Sequence, residues 1–191
     1  MEPFLLSTGI VALAEIGDKT QLLAFVLAAR FKRPWPIIWG ILVATLVNHA
    51  GAGALGAWLT HLLSPDLLRW LLVASFLAMA VWMLIPDRLD EDDTVAARRG
   101  RFGVFGTTLI AFFLAEMGDK TQIATVALAA RYVDFWWVVA GTTLGMMIAN
   151  VPAVIIGDKL AHQLPVHLVH RVTALTFVVL AVLLALVPPL S

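Results

Sequence analysis

Six long apolar stretches divide this chain, and an odd number of them lies in each half. They fall at about 4–29, 36–60, 67–85, 104–130, 135–160 and 168–187. Each approaches or exceeds the roughly 20 mostly apolar residues that a helix needs to cross a bilayer. A backbone in lipid must satisfy its own hydrogen bonds, so helices are the expected form. Apolar residues make up 61% of the chain and mean hydropathy is +0.91. Soluble domains sit nearer about 45–50% apolar. The expected fold class is therefore all-α integral membrane, with six transmembrane helices.

The halves are related in sequence. A gapless shift of 101 residues places Ala14-Glu15-Ile16-Gly17-Asp18-Lys19-Thr20-Gln21 on Ala115-Glu116-Met117-Gly118-Asp119-Lys120-Thr121-Gln122. Over residues 15–30, ten of sixteen positions are identical under this shift, ending in Ala28-Ala29-Arg30 and Ala129-Ala130-Arg131. The same shift pairs Gly40 with Gly141, Gly56 with Gly157 and His61 with His162. Three spans per repeat make the second repeat enter the membrane from the opposite side. The expected layout is a first three-helix repeat over 1–85, a polar linker over 86–103 and an inverted three-helix repeat over 104–191. Inverted repeats of this kind are common in secondary transporters, which bind their substrate near the midplane.

Orientation follows from the basic residues. Arg30, Lys32, Arg33, Arg88, Arg98, Arg99, Arg101, Lys159 and Arg171 cluster after spans one, three and five, against Arg69 and Arg131 on the other side. The positive-inside rule places the first group in the cytoplasm and both termini outside. The acidic and basic run from Asp87 to Arg101 reads as a solvated loop. Proline marks the span edges, except for Pro152, which predicts a kink inside the fifth span.

Charges inside a membrane span are costly and usually mark an ion or substrate path. On an ideal helix Glu15, Asp18 and Lys19 share one face, as do Glu116, Asp119 and Lys120, while Thr20 points elsewhere and Gln21 borders the face. Gly17 and Gly118 permit the helix to unwind between the two acids, which would free backbone carbonyls as further oxygen ligands. Glu15, Asp18, Glu116 and Asp119 are thus the candidate metal ligands of one midplane site. Gln21, Gln122, Thr20 and Thr121 are candidate secondary ligands. Carboxylate, amide, hydroxyl and carbonyl oxygens suit hard cations such as Ca²⁺, Mn²⁺ and Mg²⁺. Lys19 and Lys120 read as counter-charges, since an ammonium group binds no metal. Four carboxylates and two lysines leave minus two, which one divalent cation or two protons would neutralise. A structural reading also exists, in which each Glu pairs with the Lys four residues on and only locks helix packing.

Asn48, His49 and Asn150 are the other polar residues deep in the spans. They can complete a coordination sphere, carry protons, or simply hydrogen-bond between helices. His61, His162, His167 and His170 fall near span ends and read as interfacial. Trp35, Trp70, Trp136 and Trp137 read as interfacial anchors. Small residues such as Gly40, Gly53, Gly141 and Gly145 favour close helix packing. Zero net charge argues against a nucleic-acid partner. With no cysteine, disulfides, thiolate sites and cysteine nucleophiles are excluded. No nucleophile–base set accompanies the carboxylates, so an enzyme is not expected.

With both motifs in view, the chain resembles the GDT family of cation/proton exchangers. The resemblance rests on Glu15-Ile16-Gly17-Asp18-Lys19-Thr20 and Glu116-Met117-Gly118-Asp119-Lys120-Thr121, which fit the family's E-x-G-D-[KR]-[TS] signature twice, and it extends over nearly the whole chain. Members include Golgi manganese and calcium transporters of eukaryotes and manganese exporters of bacteria. The resemblance implies a bacterial inner-membrane exporter of Mn²⁺, or of Ca²⁺, in exchange for protons. It also implies ion binding by the Glu and Asp of each motif, with no cofactor besides the transported ion. The residues alone specify only a hard divalent cation. A Ca²⁺/H⁺ antiporter and a passive divalent-cation channel are the alternatives. The expected partners are the metal ion, protons and the lipid bilayer, and a homo-oligomer is compatible with the sequence.

Overall fold

The computed structural model describes residues 1–85, 102–132, 134–156 and 166–186. These form eight α-helices: α1 (Glu2–Glu15), α2 (Lys19–Phe31), α3 (Pro34–Leu62), α4 (Pro65–Trp82), α5 (Gly103–Glu116), α6 (Lys120–Arg131), α7 (Phe135–Ile156) and α8 (Val166–Leu186). By length and apolarity α3, α4, α7 and α8 can each cross a membrane. The stretches at 4–29 and 104–130, expected as spans, are each two shorter helices that meet at a break. Most of the linker, at 86–101, and the segment 157–165 with Gly157, Lys159 and His162 lie outside the described residues.

Local sequence explains the helix starts. Pro34 and Pro65 sit in the first turns of α3 and α4, where a missing N–H costs nothing and the fixed φ suits a helix. Ser64 caps α4, its Oγ accepting from the Leu67 N–H at 3.4 Å. The C-terminal carbonyls of α8 find a cation instead: Arg69 of α4 donates to Leu184 O at 3.1 Å and also to Ala185 O. Pro152 lies inside α7 without ending it.

The most extensive helix contacts are reciprocal under the shift of 101. α1 lies along α7 as α5 lies along α3, and α4 lies along α8. Glycines set the close approaches. A Cβ on Gly141 would stand 2.5 Å from Phe4 O and 3.0 Å from Ser7 Cβ, and one on Gly40 would stand 3.0 Å from Phe105 O and 2.8 Å from Thr108 Cβ. Phe4 and Ser7 are the positions that the shift places on Phe105 and Thr108, so the same crossing is built twice at equivalent positions. Apolar side chains collect in two clusters. One joins Phe76 and Met79 of α4, and Met83 just after it, to Ala127 and Leu128 of α6 and Phe177 of α8. The other joins Leu23 and Leu27 of α2 to Ile37 and Ile41 of α3 and Phe112 of α5.

The outward faces are apolar too. Leu46, Val47, Leu144, Ile148, Leu175 and Val179 are exposed, an arrangement that suits lipid and would be a liability in water. Trp35, Trp70, Trp136 and Trp137, near helix starts, are exposed as well.

Candidate cation site

The two motifs fold into near-identical breaks. Ile16 has φ −66° and ψ 114°, Gly17 has φ +82°, and the Asp18 N–H donates to Glu15 O at 3.1 Å. Met117 has φ −64° and ψ 118°, Gly118 has φ +76°, and the Asp119 N–H donates to Glu116 O at 3.1 Å. This is the pattern of a type II turn, whose third residue needs positive φ and therefore glycine. Asp18 and Asp119 then become the N-cap residues of α2 and α6, with φ/ψ of −77°/165° and −76°/165°. Neither carboxylate makes the usual capping bond. Each sits at the positive end of a helix dipole, which favours a negative group there. Gln21 and Gln122 brace the turns from the third helical position: Gly17 N–H donates to Gln21 Oε1 at 2.9 Å and Gly118 N–H to Gln122 Oε1 at 2.7 Å. Gln21 also donates through Nε2 to Ala149 O of α7 at 3.0 Å.

The breaks bring acids from both motifs together. One carboxylate oxygen each from Glu15, Asp18 and Asp119 can be chosen so that all lie within 4.8 Å of one another. All three residues are buried, at 0%, 1% and 3% exposure. Such a cluster of anionic oxygens in low dielectric calls for a compensating cation or protons.

Glu116 is buried as well but is not in this cluster. Thr45 Oγ1 donates to its Oε1 at 2.6 Å and Asn48 Nδ2 to its Oε2 at 3.0 Å, both from α3. Asn48 Nδ2 also reaches Phe113 O at 3.1 Å. Glu15 is held differently. Thr20 Oγ1 donates to its Oε2, and Asn150 Nδ2 of α7 lies 3.4 Å from the same oxygen. The expectation that Thr20 points away is thereby corrected. It assumed one continuous helix, and the turn at Gly17 swings Thr20 back towards Glu15. Thr121, its mate under the shift, is buried, and its carbonyl accepts from Thr125 Oγ1 at 2.7 Å.

The lysines diverge. Lys120 is buried, donates through Nζ to Ile85 O at 3.3 Å and lies 5.9 Å from the Trp82 ring centre, a cation–π contact. Lys19 is half-buried. The freed carbonyls are also partly engaged, since Glu15 O and Glu116 O close the turns and Ile16 O lies 3.0 Å from His170 Nε2. His170 is buried at 7% exposure, which corrects its reading as an interfacial residue: one turn into α8, it reaches the break. The helix-start signal was present in the sequence, since Asp18-Lys19-Thr20-Gln21 has the N-cap-to-N3 spacing of a capping box. His170 had no such signal. His49 is fully buried on α3, and neither ring nitrogen has a hydrogen-bond partner among the described residues.

The geometry of a buried acid cluster at paired helix breaks meets a clear family assignment. The profile described as "Divalent cation/proton antiporter GDT1" matches residues 3–91 and 104–188. The chain belongs to this family. Its work is membrane transport of cations, not enzymatic chemistry. Among GDT1 relatives, the chain is 53% identical over 182 residues to the Vibrio cholerae protein named "Putative manganese exporter", covering 95% of this chain and 89% of that one. It is 28% identical over 194 residues to "GDT1-like protein sll0615" of Synechocystis, covering 91% of each. It is 22% identical over 233 residues to "Divalent cation/proton antiporter GDT1" of Saccharomyces cerevisiae, covering 96% of this chain and 83% of that one. No solved structure gives a significant match.

Proposed function

We propose that this GDT1-family protein is a secondary transporter that exports Mn²⁺ in exchange for protons. The observation that carries the reading is the convergence of Glu15, Asp18 and Asp119, buried acids from both copies of the motif. Manganese as cargo is favoured by the name of the Vibrio relative, and proton exchange by the family description. Mn²⁺ takes hard oxygen donors such as these carboxylates.

In this account the broken helices form the first spans of two inverted three-helix repeats, giving six crossings with both termini outside the bacterial inner membrane. The reciprocal contacts of α1 with α7 and of α5 with α3 support that layout. The ion sits between Glu15, Asp18 and Asp119. Glu116, held by Thr45 and Asn48, joins it when the site opens to the other side. The unequal bonding of Glu15 and Glu116 is what one state of an alternating pair of repeats would have, with the opposite state exchanging the two environments. Protons replace the ion by neutralising the same carboxylates, so the empty site crosses back without an unpaired buried charge. Lys19 and Lys120 limit the residual charge, and Gly17 and Gly118 supply the turns.

Sealed proteoliposomes loaded with Mn²⁺ test this. An imposed inward proton gradient should accelerate Mn²⁺ efflux, and Glu15→Gln or Asp119→Asn should abolish the acceleration. Flux that ignores the gradient and follows membrane potential would instead indicate a channel. Flux indifferent to both substitutions would remove the carboxylate site from the account. Ca²⁺ outcompeting Mn²⁺ in the same vesicles would reassign the cargo.

A further inference from the structure

The transport reading leaves one buried group without a task. His49 is 0% exposed in the middle of α3, and neither Nδ1 nor Nε2 has a hydrogen-bond partner among the described residues. Buried polar atoms are nearly always partnered, because leaving one unpaired costs its desolvation without return. His49 lies four residues after Thr45 and one after Asn48. Thr45 and His49 therefore share a helix face, with Thr45 between the other two around the helix. Thr45 and Asn48 are the residues that bond Glu116.

The repeat supplies a second, independent observation. The shift of 101 places His49 on Asn150, and Asn150 Nδ2 lies 3.4 Å from the Glu15 carboxylate. The Oδ1 atom of Asn150 also lacks a hydrogen-bond partner among the described residues. The long helix that bonds each motif glutamate thus also carries a buried side chain with an uncommitted lone pair. It is an amide oxygen in one half and an imidazole nitrogen in the other. At this position the halves differ in donor chemistry.

We propose that His49 donates a ring nitrogen to the transported ion on the Glu116 side of the site, and that this nitrogen selects first-row transition divalents such as Mn²⁺ over Ca²⁺. Ca²⁺ takes oxygen ligands, whereas imidazole is a ligand for transition metals. A single nitrogen among oxygens separates the two ions without excluding either by size. This inference rests on the transport reading, because it presumes a divalent cation at the motif acids.

Pulsed EPR of Mn²⁺ bound to the purified protein in nanodiscs reads the ligand directly, through nitrogen hyperfine coupling. The wild type should show the coupling. It should persist when His61, His162, His167 and His170 are all replaced by glutamine, and vanish in His49→Asn, which installs the residue of the other repeat. Mn²⁺ affinity should fall about 10- to 100-fold in His49→Asn, the range seen when groups supporting a metal site are lost, with Ca²⁺ affinity moving less than about threefold. Bound Mn²⁺ without nitrogen coupling in the wild type would overturn the assignment while leaving the transport reading intact. So would coupling and relative affinity unchanged in His49→Asn. A wild-type protein that binds no Mn²⁺ would overturn both. The quadruple variant keeps the assignment testable even if His49→Asn does not fold.

Discussion

Replacing Gly118 by alanine separates a broken helix from a continuous one by the sign of the stability change. In a continuous helix, glycine to alanine stabilises by about 1 kcal/mol, since alanine has the better helix propensity. At Gly118 the backbone has φ +76°, where an L side chain costs about 1–2 kcal/mol. Sterics do not confuse the comparison, because a Cβ there would meet nothing within 4 Å. The bond from the Gly118 N–H to Gln122 Oε1 survives the change. Destabilisation of about 1–2 kcal/mol is therefore expected, roughly a 5- to 30-fold shift in the folded-to-unfolded ratio. Gly118→Asn should fall between glycine and alanine, because asparagine tolerates the left-handed region. Reversible unfolding in mixed micelles, followed by circular dichroism, gives the ordering. An alanine variant more stable than the wild type would refute the type II turn, and with it the geometry that aims Asp119 at Glu15.

Four further substitutions test the surrounding packing and bracing by the same unfolding measurement. Gly141→Ala should cost about 1–3 kcal/mol, because its Cβ would press on Phe4 O at 2.5 Å; Gly51→Ala, with nothing within 4 Å, should be neutral or gain up to about 1 kcal/mol. Gln122→Leu should cost about 0.5–1.5 kcal/mol for its bond from the Gly118 N–H. Gln21→Leu should cost more, because Gln21 holds both the Gly17 N–H and Ala149 O; equal costs would argue against the tie to α7.

The duplicated motif made the acids legible before any coordinates, because charge in an apolar stretch is rare and twice-repeated charge is rarer. The positions of the apolar stretches were legible for the same reason. What helical periodicity could not supply is the effect of the break itself. Once Gly17 takes positive φ, residues on its two sides no longer obey one angular count. Thr20 therefore meets Glu15 although an ideal helix separates them. Lys120 turns to Ile85 O and Trp82, and those partners belong to α4 and the residues just after it, which no local pattern links to the motif. The bonds from Thr45 and Asn48 to Glu116, and the approach of His170 to Ile16 O, are long-range packing outcomes of the same kind.

The central claim is that acids from the two repeats hold one ion together. A crystal structure of the Mn²⁺-loaded protein, with the manganese anomalous signal recorded, tests it most directly. A single peak is expected between Glu15, Asp18 and Asp119, within the roughly 2.0–2.6 Å that hard cations keep from oxygen ligands. A peak elsewhere, with those three carboxylates away from it, would contradict the account.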